Sequence, residues 1–207
     1  MRVRVKICGI TRVEDALSAA DAGADAIGLV FAPSPRRVSV EAARRIVSSL
    51  PALVCAVGVF VDAAAEELRK AAAAAGLHAV QLHGEETPEY AAGLAPLSVI
   101  KAIRVGSPDD VSLARAYESA AIMLDSKSSR GRGGTGETFA WEYARDLASE
   151  RRVIISGGLK TANVAEAIAK ARPWAVDVST GVERSPGIKD AAEIRAFIAE
   201  VRRVSND

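Results

Sequence analysis

Residues 3–31 read VRVKICGITRVEDALSAADAGADAIGLVF. Two runs rich in Val, Ile and Ala, at 3–8 and 25–31, flank a stretch of Ala, Glu, Asp and Arg with helical character over 12–22. In the first run Val3, Val5 and Ile7 alternate with Arg4, Lys6 and Cys8, which is the period of a strand. Gly23 stands where the intervening helix needs a C-cap. Strand, helix and strand in so short a span imply parallel pairing through a right-handed crossover.

The same unit recurs along the chain. Strands are predicted at 3–8, 25–31, 53–60, 78–82, 97–103, 120–125, 152–156 and 175–179. Helices are predicted near 12–22, 40–50, 63–75, 87–94, 108–117, 139–149, 161–171 and 190–203. Ser39 and Asp62 read as N-caps, Pro88 and Pro108 as first-turn prolines, and Gly76 as a second C-cap. Eight units of roughly 25 residues match the (β/α)8 TIM barrel of the α/β class. An open doubly wound sheet is the competing arrangement, usually with fewer strands. No linker or shift of composition divides the chain, so residues 1–207 read as one catalytic barrel domain.

Bulk properties narrow the function. Hydrophobic residues make up 49% of the chain, enough for a buried core, and the net charge of +1 offers no basic field for nucleic acid. No apolar stretch approaches a membrane span, and the first residues lack the apolar core of a signal peptide. Two cysteines, Cys8 and Cys55, match no zinc or redox spacing, which points to a reduced, cytoplasmic protein. Monomer and homodimer are both compatible with these features.

In a parallel barrel every strand C-terminus emerges on one face, where residues distant in sequence converge. Cys8 closes the first strand and Asp125 the sixth. A thiol able to become a thiolate and a carboxyl able to hold a proton make a general base and a general acid, so proton transfer is the expected chemistry. Gly9 and the helix start beyond it, together with Lys6, set Cys8 apart from an inert buried cysteine such as Cys55. Lys6 shares the inward face and needs a partner there. Asp177 in the neighbouring last strand is the candidate, as a structural ion pair or as a contact to substrate.

The turns after strands seven and eight carry an anion signal. Ser156-Gly157-Gly158-Leu159 and Ser179-Thr180-Gly181-Val182 combine approachable backbone N–H groups with hydroxyls in the two loops where barrels cradle phosphate. A phosphorylated small-molecule substrate follows from Gly157, Gly158, Ser179, Thr180 and Gly181. Residues 126–136 form a polar, glycine-rich loop with a formal G-x-G-x-x-G at Gly131–Gly136, better explained as a cationic lid than as a dinucleotide site. Gln81 and His83 share one face at the end of strand four, where a substrate needs polar groups, although His83 also reads as a hydrogen-bonded structural histidine. Arg36 in loop two can take a carboxylate by two parallel bonds, or be merely solvated.

These residues resemble the phosphoribosylanthranilate isomerase family of tryptophan biosynthesis. The resemblance is carried by Lys6-Ile7-Cys8-Gly9-Ile10-Thr11, Gly28-Leu29-Val30-Phe31, Ser34-x-Arg36-x-Val38-Ser39 and Val80-Gln81-Leu82-His83-Gly84. It continues through Leu124-Asp125-Ser126, Gly133-Gly134-Thr135-Gly136, Ser156-Gly157-Gly158-Leu159, Val176–Glu183 and Pro186-Gly187-x-Lys189-Asp190. It implies an Amadori rearrangement of N-(5′-phosphoribosyl)anthranilate to 1-(2-carboxyphenylamino)-1-deoxyribulose 5-phosphate, with Cys8 as base and Asp125 as acid. It also implies Arg36 on the anthranilate side, Asp177 at the substrate and phosphate at loops seven and eight, with no metal or redox cofactor required. Ala140 before Trp141, Thr180 and Arg37 depart from the family's usual residues, and Thr138 is a candidate replacement for the lost cap of helix six. A histidine-pathway isomerase acting on an analogous aminoaldose, or a silent phosphometabolite-binding barrel, are the alternatives. The silent barrel has no need of Cys8 and Asp125.

Overall fold

The computed structural model describes residues 2–127 and 138–205. Eight parallel strands run in chain order around a closed barrel: β1 (Arg4–Cys8), β2 (Ala26–Val30), β3 (Cys55–Phe60), β4 (Ala79–Leu82), β5 (Ser98–Val105), β6 (Ala121–Ser126), β7 (Val153–Ile155) and β8 (Ala175–Val178). Closure rests on β1 pairing with β8, where Lys6 lies opposite Asp177. The open sheet is thereby excluded. Outside lie α1 (Val13–Ala22), α2 (Val40–Ser49), α3 (Ala65–Ala75), α4 (Pro88–Gly93), α5 (Pro108–Leu113), α6 (Arg145–Glu150), α7 (Val164–Ala171) and α8 (Ala191–Ser205). No described helix is long and apolar enough to cross a membrane.

The two-residue period of the strands sorts their side chains into two cores. Ile7, Ile27, Leu29, Ile122, Leu124 and Val176 face outward and are buried with helix residues such as Phe197, Ile194 and Leu147. Val57, Ala79, Ile100, Met123, Ile154 and Ala175 fill the barrel interior. One or two pleats further along, the inward positions turn polar at Lys6, Cys8, Gln81, Asp125 and Asp177, all buried. The apolar floor thus carries a polar mouth.

Local signals set most element ends. Ser39 Oγ accepts from Ala42 N at 3.1 Å as the N-cap of α2, Pro88 and Pro108 open α4 and α5, and Gly23 and Gly76 close α1 and α3 in left-handed conformation. Asp62 is not the cap expected of it. The chain needs two more residues before α3 starts after Ala64, and the Asp62 carboxylate accepts instead from Glu85 N at 2.7 Å. The expected helix at 161–171 begins later, at Val164, because Asn163 folds back to accept from Lys160 N and donate to Gly158 O. The fifth and sixth helices are shorter than expected. A 3-10 turn follows the fifth, at Ala114–Ala116, and another leads into the sixth, at Trp141–Ala144. Ala140 precedes the second of these turns with no side-chain cap, so Thr138 does not stand in for one. A short hairpin, β9 (Glu183–Ser185) with β10 (Ile188–Lys189), follows β8 and was not expected. The formal G-x-G-x-x-G and most of the anticipated lid lie outside the described residues.

Candidate active site

Cys8 sits at the C-terminal end of β1 and lines a cavity of about 280 Å³ in the barrel mouth. Its neighbour Gly28 is there for space. A Cβ at that position would come 2.7 Å from Cys8 Sγ and 3.0 Å from Lys6 Nζ. Lys6 Nζ donates to Asp177 Oδ1 at 2.6 Å, with both side chains almost wholly buried, while Ser156 Oγ donates to Asp177 Oδ2 at 3.1 Å. Burial alone would disfavour the charge on Lys6, but Asp177 and Cys8 outweigh it and raise its pKa, so Lys6 stays cationic. For Cys8 burial prevails and pushes the thiol up; Lys6 and Lys189 pull it down, and Asp177 adds to the rise. The expected ion pair is therefore present, and it stands within electrostatic reach of the sulfur.

Asp125 is the penultimate residue of β6, three strands from β1 around the closed barrel, and lines the same cavity. Its Oδ2 lies 3.0 Å from His83 Nε2, and its Oδ1 accepts from Ser126 N at 3.1 Å. His83 Nδ1 in turn lies 2.8 Å from Gln81 Nε2. Gln81 and His83 both line the cavity, on the shared face that the spacing of β4 predicts.

The turns after β7 and β8 meet at the rim. Gly157 and Gly158 adopt φ of +84° and +64°, left-handed values that side chains resist, which keeps this turn tight and its backbone approachable. Gly157, Gly158, Ser179 and Thr180 line the cavity with Ser156. Gly181 does not; a Cβ there would collide with the carbonyl oxygen of Leu159, so its role in the structure is close packing of the two turns.

Arg36 reaches the cavity from the loop after β2, and it is not solvated. Its Nε and Nη2 donate to Glu183 Oε1 and Oε2 at 2.7 and 2.6 Å. Glu183 also accepts from Lys189 Nζ at 2.9 Å and from Gly187 N at 3.2 Å. The bidentate pairing raises the Arg36 pKa. Glu183 is held below the ordinary carboxylate range, because the hydrogen bonds from Arg36 and Lys189 outweigh its burial. Lys189 is fully enclosed, donates also to the Ser179 carbonyl at 3.1 Å, and is pushed down by burial against the opposing pull of Glu183. Glu183 and Lys189 carry no role in the reading of sequence. Their only signal was membership of the Val176–Glu183 and Pro186–Asp190 motifs, since the contact of Glu183 to Arg36 spans 147 positions.

A closed (β/α)8 barrel that gathers a thiol, a carboxyl and two glycine-rich turns around one mouth has the build of an acid–base enzyme for a small anionic substrate. The family model of N-(5′-phosphoribosyl)anthranilate (PRA) isomerase matches residues 5–200, and the chain belongs to that family. The isomerase of that name from Geobacter sp. (strain M21) is 50% identical over 203 residues, covering 98% of this chain and 99% of the relative. The crystal structure of the Thermotoga maritima phosphoribosyl anthranilate isomerase superposes with a TM-score of 0.92 at 46% identity, covering 97% and 99% of the two chains. Two further phosphoribosyl anthranilate isomerase structures match with a TM-score of 0.88 at 44% identity, again covering 97% and 99%. One contains reduced 1-(o-carboxyphenylamino)-1-deoxyribulose 5-phosphate, and the other shows monomers generated from the dimeric Thermotoga maritima enzyme.

Proposed function

We propose that this chain isomerises N-(5′-phosphoribosyl)anthranilate to 1-(2-carboxyphenylamino)-1-deoxyribulose 5-phosphate in tryptophan biosynthesis, with residues 1–207 acting as a single catalytic barrel. The observation that carries the proposal is the convergence of Cys8 and Asp125 on one cavity whose rim holds the glycine turns after β7 and β8. Asp125 donates a proton to the furanose ring oxygen as its bond to C1′ breaks, and the anthranilate nitrogen forms an iminium. The iminium acidifies C2′–H, and Cys8 as thiolate removes that proton. The enolamine gains a proton at C1′ and loses the one on the C2′ hydroxyl, giving the ketone. Atoms balance, as an isomerisation requires, and the sequence of steps calls for no redox cofactor or metal.

The surrounding residues bind. Gly157, Gly158, Ser179 and Thr180 offer N–H and hydroxyl donors to the phosphate, and Gly181 holds the second turn against the first. Arg36 faces the anthranilate carboxylate with the N–H groups that Glu183 leaves unused. Gln81, His83 and Asp177 form the wall beside the ribose. The reaction needs Cys8 ionised although burial favours the thiol, so Lys6 and Lys189 are the groups that bring the thiolate within reach. The enzyme works in the cytoplasm, as monomer or homodimer, with no nucleic acid or membrane partner. The two free cysteines suit a reducing compartment.

The test is turnover of phosphoribosylanthranilate generated in place, with product separated by chromatography. Wild type is expected to convert it, and Cys8→Ala and Asp125→Asn to lose about 10²–10⁴-fold in kcat with folding intact. A folded wild type without turnover overturns the assignment and turns attention to the analogous aminoaldose of the histidine pathway.

A further inference from the structure

His83 has no free ring nitrogen. Nδ1 faces Gln81 Nε2 at 2.8 Å and Nε2 faces Asp125 Oδ2 at 3.0 Å, so the imidazole is spent on protein groups although it lines the cavity. An amide nitrogen can only donate, which makes Nδ1 the acceptor. A neutral ring that accepts at Nδ1 carries its single proton on Nε2, and that proton points at Asp125. Among the described residues Gln81 Oε1 is buried without a hydrogen-bond partner, so the nitrogen makes the one side-chain bond this amide shows.

We propose that Gln81 and His83 are positioning residues for the general acid, beyond any part they play in the wall of the site. Gln81 selects the tautomer of His83 with the proton on Nε2. His83 then holds the Asp125 carboxyl in one orientation and offers an N–H to the negative charge that develops as Asp125 gives up its proton. A donor already in place stabilises that charge without reorganisation at the moment of reaction. Three side chains at the ends of β4 and β6 thereby act in series, and only Asp125 touches the reacting atoms. This inference rests on the isomerase reading above.

Two readouts test it. In protein labelled with ¹⁵N-histidine, the neutral form of His83, followed to the alkaline end of a pH series, is expected to show a protonated Nε2 and an unprotonated Nδ1. The chain has only two histidines, and His83→Gln identifies the signals. Gln81→Met is expected to let the two tautomers mix. In turnover, His83→Leu and Gln81→Met are expected to lower kcat by about 10- to 100-fold with KM within about threefold, whereas His83→Gln, which keeps an N–H donor, recovers part of the loss. A His83 proton on Nδ1, or a tautomer unmoved in Gln81→Met, overturns the role of Gln81. A rise in KM with kcat unchanged shows that these residues bind substrate only and overturns the relay while leaving the isomerase standing. A folded wild type that does not turn over, whatever the nitrogen signals read, removes the isomerase assignment and this role with it.

Discussion

Cys8 brings the residue scale to a single question, which is what burial does to a thiol meant to be a base. Taking the sulfur out of water disfavours the thiolate, and here that effect exceeds the combined pull of Lys6 and Lys189. Alkylation of Cys8 by iodoacetamide, followed peptide by peptide, is therefore expected to be slow at about pH 7. It should climb only as pH passes the ordinary thiol value of 9.0. A rate that levels off well below that value would contradict this account. The inward place of Cys8, Lys6 and Asp177 was legible from the alternation of β1 and β8 alone, because a strand has a two-residue period. The electrostatic outcome at the sulfur was not, because it depends on Lys189, which arrives from another element.

At the scale of elements, the hairpin of β9 and β10 is the part that composition concealed. With strands of three and two residues it has no period to read. Its contribution is nevertheless specific, since Glu183 at one end holds Arg36 by two hydrogen bonds and is itself held by Lys189 at the other. Fixing a long arginine side chain before substrate arrives removes part of the entropy cost of binding. Glu183→Gln is expected to raise KM about tenfold, with a smaller effect on kcat. The carboxyl is held below its ordinary value of 4.5, so its ionised form contributes stability above that value, and the contribution is lost as pH falls through the depressed one. Glu183→Gln is accordingly expected to cost about 1–3 kcal/mol near pH 7 and progressively less as the solution is acidified below about pH 4. Urea unfolding at both ends of that range measures the difference. Helix boundaries follow the same division. Ser39 caps α2 as a local signal predicts, whereas Asp62 is drawn to the backbone of a neighbouring loop.

For the whole molecule, the seam between β1 and β8 is where the barrel closes, and the Lys6–Asp177 pair stands at that seam. Removing one partner leaves a buried charge without compensation. Lys6→Met is expected to destabilise the fold by about 3–5 kcal/mol, seen as a lower urea midpoint at unchanged slope. A loss of under about 1 kcal/mol would mean that Asp177 is held by Ser156 and the surrounding backbone alone.

The sequence by itself determined the number and order of the strand–helix units, and hence the barrel. Alternation and capping are local, and eight parallel units with short connections leave few ways to bury their apolar faces. It also determined which residues stand at the strand ends, since that requires only the period of each strand. Tertiary structure alone decided what those residues touch: Arg36 with Glu183, His83 between Gln81 and Asp125, and Cys8 under the charge of Lys189. Gly181 turned from a rim position into a packing contact for the same reason. Hydrogen bonds and fields act through space at a few ångströms, and chain separations of up to 181 residues, from Cys8 to Lys189, carry no periodic trace of them.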